Sequence, residues 1–376
     1  MSPENTNLTL RSTINADGTL ELRLAEEPLP ALAPGEVRVR MEAAPVNPSD
    51  MGLLLASADL ATASSTGGGK QKRLSAELLN RKTRPFEGRI GLPLRVGNEG
   101  TGTVVEAAPD AAHMLGRQVA IFGGAMFACY RTIAAKECLI VPAGVPAPMR
   151  ASLFVNPLTA LAMVETMRME GHGALVHTAA ASSLGQMLIK ICKSDDIDLV
   201  NIVRGEQQVA VLNGLGARYV IDSSAPDFNA QLRAAVAKTR ATIAFDAIGG
   251  GRMTNILLQA MEASELRFSP SYSLYGSDVP KQVYIYGSLD LTQTGLDRNY
   301  GYAWSVGSFL ITHFLKRAGE DVRTRLLSRI SREYDSTFAT HFSRQIHLTD
   351  LLDPVVLEGL MQKKTGDKYL VLFDGL

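Results

Sequence analysis

Between residues 173 and 204 an apolar run, Ala174, Leu175 and Val176, gives way to a stretch of small residues: Ala179, Ala180, Ala181, Ser182, Ser183 and Gly185. Leu184, Met187, Leu188 and Ile191 then recur at helical spacing, and a second apolar run at 199–203 ends at Arg204. This pattern predicts a strand buried on both faces, a tight turn, an amphipathic helix covering the sheet, and a second strand. The alternation continues with a strand at 219–222, a helix at 228–237, a strand at 242–248 running into Gly249, Gly250 and Gly251, and a strand at 283–286 leading into Gly287. Strands alternating with helices predict an α/β fold with a doubly wound parallel sheet, which binds ligands at the C-terminal ends of its strands.

The first part of the chain follows a different rhythm. Short strand-like runs at 20–24, 36–41, 100–106, 118–122 and 128–133 are separated by Pro, Gly and Asp, as in a compact antiparallel domain. Residues 57–90 interrupt them. They carry the tract SSTGGGKQKR, which reads as a flexible basic linker, and then a candidate helix at 75–81. Two readings stand for this insertion: it drapes over an active-site cleft, or it is disordered at its tip.

Composition narrows the function classes. The length of 376 residues suits two domains, and 38 Lys+Arg against 38 Asp+Glu leave no global basic field for nucleic acid or an anionic membrane. Three dispersed cysteines, Cys129, Cys138 and Cys192, suit buried thiols in a reducing compartment. No secretory apolar core or membrane-length apolar run is evident, so the expected location is the cytoplasm.

The small-residue turn would let a pyrophosphate approach backbone N–H groups at the positive end of the helix, which makes Ser182, Ser183, Leu184 and Gly185 candidate cofactor residues. The usual fingerprint has three glycines. Here only Gly185 remains, with Ala179 and Ser182 at the preceding three-residue steps, and a ligand-free turn would also favour small residues. Arg204 stands where an adenosine ribose normally lies; a planar cation there suits a 2′-phosphate and hence NADPH, although a solvated strand-end charge, or a partner of Glu206, is the plainer reading. Ile248, Gly249, Gly250, Tyr286 and Gly287 fall at the same edge of the sheet, where backbone passes close to a cofactor. His177 reads as a hydrogen-bonded core histidine or as an acid/base group. The aromatic residues between 270 and 305 suggest a substrate wall or a subunit interface.

The ordered set PGEVRVRMEAAPVNPSD (34–50), LPLRVGNEGTGTVVEA (92–107), VNPLTAL (155–161), the AAASSLG turn and FDAIGGG (245–251) resembles the medium-chain dehydrogenase/reductase superfamily. The resemblance covers nearly the whole chain. It implies a GroES-like β-rich catalytic domain at 1–153 and 318–376, a Rossmann domain at 154–317, and a cofactor in the cleft between them. In that superfamily, catalytic zinc is held by residues of the segments where this chain has Asn47, Asn98 and Asn156; neutral amides are poor zinc ligands, so the resemblance points to the zinc-free branch.

That branch contains quinone oxidoreductases and 2-enoyl thioester reductases. VNIVRGEQQ (200–208) and VGSFLITHFLKR (306–317) resemble the latter, but their tyrosine after the NPSD segment has no counterpart in MGLLLASADL. The resemblance therefore implies, first, NADPH-dependent hydride transfer to a quinone or an α,β-unsaturated carbonyl. Alternatives are enoyl-thioester reduction and a non-catalytic, crystallin-like NADPH-binding role. It makes Asn47 the candidate catalytic donor or nicotinamide contact, with an Asx cap before Pro48 as the structural alternative. By the same resemblance Thr159 touches the nicotinamide or its ribose, and Lys368 reaches a cofactor hydroxyl. Asn156 reads as both a cofactor contact and a helix N-cap preceding Pro157. Asp50 and Glu99 are expected to form a structural ion pair with a nearby base. A homodimer is the expected assembly.

Overall fold

A computed structural model describes residues 6–79, 83–362 and 366–374 of the chain. The chain divides into two compact units, Met1–Val155 with Ser331–Leu376, and Asn156–Ile330.

The first unit contains β1 (Thr6–Ile14), β2 (Thr19–Pro28), β3 (Glu36–Pro45), α1 (Met51–Leu54), β4 (Ser64–Thr66), β5 (Arg73–Glu77), β6 (Leu94–Arg95), β7 (Glu99–Ala107), β8 (Gln118–Phe122), β9 (Tyr130–Ala134), β10 (Cys138–Ile140) and α2 (Ala147–Arg150), and its C-terminal segment adds β19 (Arg344–His347) and β20 (Tyr369–Leu372). Among the described residues these strands form a five-stranded sheet in the order β4-β5-β2-β1-β6 and a seven-stranded sheet in which β10-β8-β7-β3-β20-β19 is extended by β9 on β3. In β2, Leu20, Leu22 and Leu24 are buried while Glu21 and Arg23 alternate with them, the period-two pattern of a half-buried strand. Their side chains join Leu10, Val37, Val39 and Phe127 in one apolar core.

The insertion departs from its expected form. Residues 73–77 are the strand β5, not the start of a helix, and pair antiparallel with β2, Leu22 opposite Leu74 and Leu20 opposite Ala76. Asn80 and Arg81, the end of the expected helix, lie outside the described residues. The basic tract is likewise ordered: Ser64–Thr66 pairs with β5 as β4. The open edge of β2 offered hydrogen bonds to a segment whose Leu74 and Ala76 alternate inward, and that tertiary opportunity outweighs weak helix propensity.

The second unit contains α3 (Val155–Met169, whose first residue belongs to the first unit), β11 (Leu175–His177), α4 (Ser183–Ser194), β12 (Leu199–Val203), α5 (Glu206–Gly214), β13 (Tyr219–Asp222), α6 (Phe228–Thr239), β14 (Ile243–Asp246), β15 (Gly249–Gly251), α7 (Met253–Arg267), β16 (Lys281–Ile285), β17 (Asp290–Thr294) and β18 (Trp304–Ser308). Among the described residues its six-stranded sheet runs β13-β12-β11-β14-β16-β18, and every pairing in it is parallel. All five residues of β12 are buried, as a strand covered on both faces requires. Val176, Val200 and Ile202 pack with Leu232 and Val236 of α6 and Leu257 and Met261 of α7.

The aromatic segment splits between core and surface. Tyr300 is buried edge-on against Trp304, with ring centroids 5.0 Å apart, whereas Tyr272, Tyr275 and Tyr302 are exposed.

Candidate functional site

Candidate residues occur as two groups, one within each unit. In the second unit, parallel pairing brings the ends of β11, β12, β14 and β16 to one edge of the sheet. Between β11 and α4 the chain turns through Ala179, whose φ of +51° is a left-handed conformation that costs an alanine roughly 1–2 kcal/mol. A glycine normally supplies that geometry without the penalty. Ser182 caps α4, its Oγ accepting from the Gly185 N–H at 3.2 Å. Ser183 and Leu184 occupy the first turn, where backbone N–H groups point out of the helix. Gly185 permits a close approach: a Cβ there would lie 2.2 Å from the carbonyl oxygen of Ala180.

Arg204 is exposed just beyond β12, and among the described residues its guanidinium makes no ion pair, so the expected pairing with Glu206 is not formed. Its backbone N–H donates to Gln208 Oε1 at 2.7 Å, and the next N–H, of Gly205, donates to Asp222 Oδ1 at 2.9 Å.

The 246–251 segment is fixed from within. Buried Asp246 accepts from Thr178 Oγ1, the Ile248 N–H, the Gly249 N–H and Thr254 Oγ1. The glycines have packing reasons of their own: a Cβ on Gly249 would meet Gly287 O at 2.8 Å, one on Gly250 would meet Thr292 O at 2.6 Å, and one on Gly287 would meet Ala247 O at 2.5 Å. Gly249, Gly250 and Gly251 form the strand β15 beside β17. Tyr286 places its hydroxyl 2.7 Å from His177 Nε2, the two rings stacking with centroids 5.7 Å apart. Burial lowers the His177 pKa to about 3 and pushes the Tyr286 phenol up, so both are neutral. This is the hydrogen-bonded core histidine of the two readings.

In the first unit, Asn47 and Lys368 meet around a carboxylate that sequence reasoning had taken for part of an ion pair. Glu99, fully buried at the start of β7, accepts from Asn47 Nδ2 at 2.9 Å and Ser152 Oγ at 3.3 Å through Oε1. Through Oε2 it accepts from the Phe154 and Val155 N–H groups at 3.0 and 2.9 Å. Lys368 Nζ donates to Ser152 Oγ at 2.7 Å. Asp50 completes the group, its Oδ2 accepting from the Asn47 N–H at 2.7 Å. Burial raises the Asp50 pKa to about 7, with the Glu99 charge adding to the rise and the Asn47 N–H opposing it. Burial also lowers Lys368 to about 8, against the upward pull of Glu99 and Asp50.

The N-cap expectation for Asn156 needs correcting. Helix α3 already begins at Val155, so Asn156 and Pro157 are its second and third residues, and the N–H groups entering the helix are taken by Glu99 instead. Pro157 is still tolerated, because a first-turn residue needs no N–H partner within the helix. Thr159, buried, follows half a turn later. Asn98 donates from Nδ2 to Ser49 Oγ at 2.9 Å. Asp50, Glu99 and Ser152 are the residues that sequence reasoning left out of the site. The signal was the buried placement of two acids with no basic residue adjacent in sequence, and only the fold reveals it.

No family model matches the chain. It is 28% identical over 252 residues to the mitochondrial enoyl-[acyl-carrier-protein] reductase of Xenopus tropicalis, covering 63% of this chain and 62% of that protein. The chain thus spans about three fifths of the length of the curated relative it matches. Among solved structures, a candidate NADPH:quinone reductase from Mesorhizobium loti superposes with a TM-score of 0.70 at 22% identity over 99% of each chain. The Etr1p complex with NADP and crotonyl-CoA superposes with a TM-score of 0.67 at 17% identity, over 98% of this chain and 100% of that one. The chain therefore has the fold of these two reductases and a distant sequence similarity to an enoyl-[acyl-carrier-protein] reductase.

Proposed function

We propose that this chain is an NADPH-dependent oxidoreductase that reduces a quinone or an α,β-unsaturated carbonyl without zinc. The observation that carries the reading is the parallel sheet whose β11–α4 turn combines a glycine-like bend at Ala179, a capped helix start at Ser182 and, one strand away, an exposed Arg204 that forms no ion pair among the described residues. These residues suit a phosphorylated dinucleotide. The Ser183 and Leu184 N–H groups would hold the pyrophosphate, and the Arg204 guanidinium would hold the 2′-phosphate through charge-assisted hydrogen bonds. When bound, NADPH supplies the hydride. Lys368 and Asn47 bind and orient polar groups of the ligands, and the buried setting of their network strengthens each contact.

A second reading, reduction of 2-enoyl thioesters, is favoured by the sequence relationship to an enoyl-[acyl-carrier-protein] reductase. The two are separated by following NADPH absorbance with ortho- and para-quinones, simple enones and a crotonyl thioester, while Trp304 fluorescence reports binding of NADPH and NADH. Oxidation with quinones or enones supports the proposal; oxidation with the thioester alone establishes the second reading. Saturable quenching without turnover of any acceptor would mean a crystallin-like binding protein.

The proposal includes a homodimer in the cytoplasm. Exposed Tyr272, Leu274, Tyr275 and Tyr302 form an apolar surface in the segments flanking β16 and preceding the edge strand β18, which supports self-association. The three free cysteines fit a reducing compartment. Light scattering in solution and cell fractionation test these points, a monomer or a mitochondrial protein being the contrary results.

A further inference from the structure

Within the first unit, β1 runs beside the segment entering β9, with Thr9 opposite Ala128. Next to them is a cavity of about 40 Å³, room for a species the size of one or two waters. Asn7 and Thr9 of β1, Arg95 of β6, Arg131 of β9 and the apolar Pro28 and Ala128 are among the residues lining it. Thr9 is fully buried, and among the described residues its Oγ1 has no hydrogen-bond partner. A buried hydroxyl left unmatched is costly, and a partner in the cavity would remove the cost.

The charges around this cavity do not balance. Glu27 is shared by two guanidiniums, Arg11 donating from Nε to Oε1 at 2.5 Å and Arg95 from Nη2 to Oε2 at 2.6 Å. Half-buried Arg131 forms no ion pair among the described residues. Its Nε donates to Gly124 O at 3.0 Å and its Nη1 to Thr132 O, both uncharged carbonyls, and Nη2 has no hydrogen-bond partner there. Burial, and after it the charge of Arg95, holds the Arg131 guanidinium below the usual arginine value, with Glu36 pulling the other way. A cation drawn from water without a counter-charge is destabilising, so an anion beside Arg131 would stabilise it and relieve its repulsion with Arg95. Asn7 is fixed nearby: its Oδ1 accepts from the Tyr130 N–H at 2.9 Å and its Nδ2 donates to Tyr130 O at 2.8 Å, which leaves the second amide N–H as a donor.

We propose that this cavity is a binding site for a small monovalent inorganic anion of the size of chloride, held by Arg131 and Arg95 with Thr9 Oγ1 and the second Asn7 N–H as neutral donors. The small volume and the apolar wall of Pro28 and Ala128 suit a compact, weakly hydrated halide, not a multiply charged oxyanion that needs donors on every side. The site lies wholly within the first unit and is independent of the NADPH reading. By tying β1 to β6 and β9, the ion acts on the stability of that unit.

The test melts the full chain in sodium chloride, sodium bromide and sodium gluconate at equal ionic strength, so that general screening is the same in all three. Gluconate is too large for the cavity. Chloride and bromide should raise the melting temperature saturably, by about 2–4 °C once the ion is well above its dissociation constant. Crystals grown in bromide should show an anomalous-scattering peak beside the Arg131 guanidinium and Thr9 Oγ1. Thr9→Val keeps the side-chain shape and removes the hydroxyl; it should weaken chloride binding at least about 10-fold, the effect of losing a hydrogen bond to a charged group. Arg131→Gln should abolish the halide response.

Should Arg131→Gln fail to fold, Thr9→Val carries the test. Around an empty or water-filled cavity the same change would leave the halide response as in wild type, and that result overturns the proposal. A melting temperature indifferent to the anion, a halide effect that survives both variants, or bromide crystals without an anomalous peak in the cavity would overturn it equally.

Discussion

Replacing Gly185 with alanine tests the close approach on which the β11–α4 turn depends. An added Cβ would lie 2.2 Å from the Ala180 carbonyl oxygen, 2.6 Å from its carbon and 2.7 Å from its Cα, all backbone atoms that cannot rotate aside. Relief requires α4 to withdraw from the end of β11 by roughly 1 Å, and overpacking of this kind typically costs about 1–3 kcal/mol. The shift also stretches the cap bond from the Gly185 N–H to Ser182 Oγ, now 3.2 Å, with about 1 kcal/mol at stake. Against these stands the better helix propensity of alanine, worth about 1 kcal/mol. The net expectation is destabilisation of about 1–3 kcal/mol, read as a lower urea midpoint at unchanged slope. NADPH affinity should fall as well, because the N–H groups of Ser183 and Leu184 move with the helix. Equal or greater stability in the variant would show that α4 stands farther from β11 than this geometry requires, and the argument for the turn would fail.

The left-handed Ala179 gives a prediction of opposite sign. Ala179→Gly relieves roughly 1–2 kcal/mol of backbone strain against a glycine entropy cost of about 0.5–1 kcal/mol, so thermal melting should show a gain of up to about 1.5 kcal/mol; a clear loss would refute the strain. Arg204→Asp should weaken NADPH binding more than NADH binding, by about 1.5–3 kcal/mol, and equal effects on both would assign Arg204 another role. For Asp50, a folded pKa near 7 against an ordinary 3.8 means the native state holds a proton that the unfolded chain releases. Its contribution to stability is therefore fully present below the ordinary value and is lost as pH rises toward 7. Asp50→Asn should leave the melting temperature little changed at pH 4 and raise it relative to wild type at pH 8; a variant that tracks wild type across that range would show that Asp50 is not protonated in the native state.

The order of strands and helices in the second unit was legible in the chain because burial on both faces forces unbroken apolar runs, as in Leu199–Val203, and helical covers force their own periodicity. The candidate turn residues were legible for the same reason, since a sharp strand-to-helix connection constrains side-chain size locally. Residues 73–77 were not. Their five-residue alternation fits a strand or a polar helix, and the unpaired edge of β2, more than forty residues earlier, made the choice. The network around Glu99 was equally hidden. Asn47, Glu99, Ser152 and Lys368 come from four distant segments, and nothing local distinguishes a carboxylate that will be buried from one that will be solvated. Local sequence set the elements and the β11–α4 turn through short-range sterics and periodicity. Which polar groups are buried together, and therefore how the Asn47 amide is turned and how strongly Lys368 holds its proton, was decided only when tertiary packing removed them from water and left each other as partners.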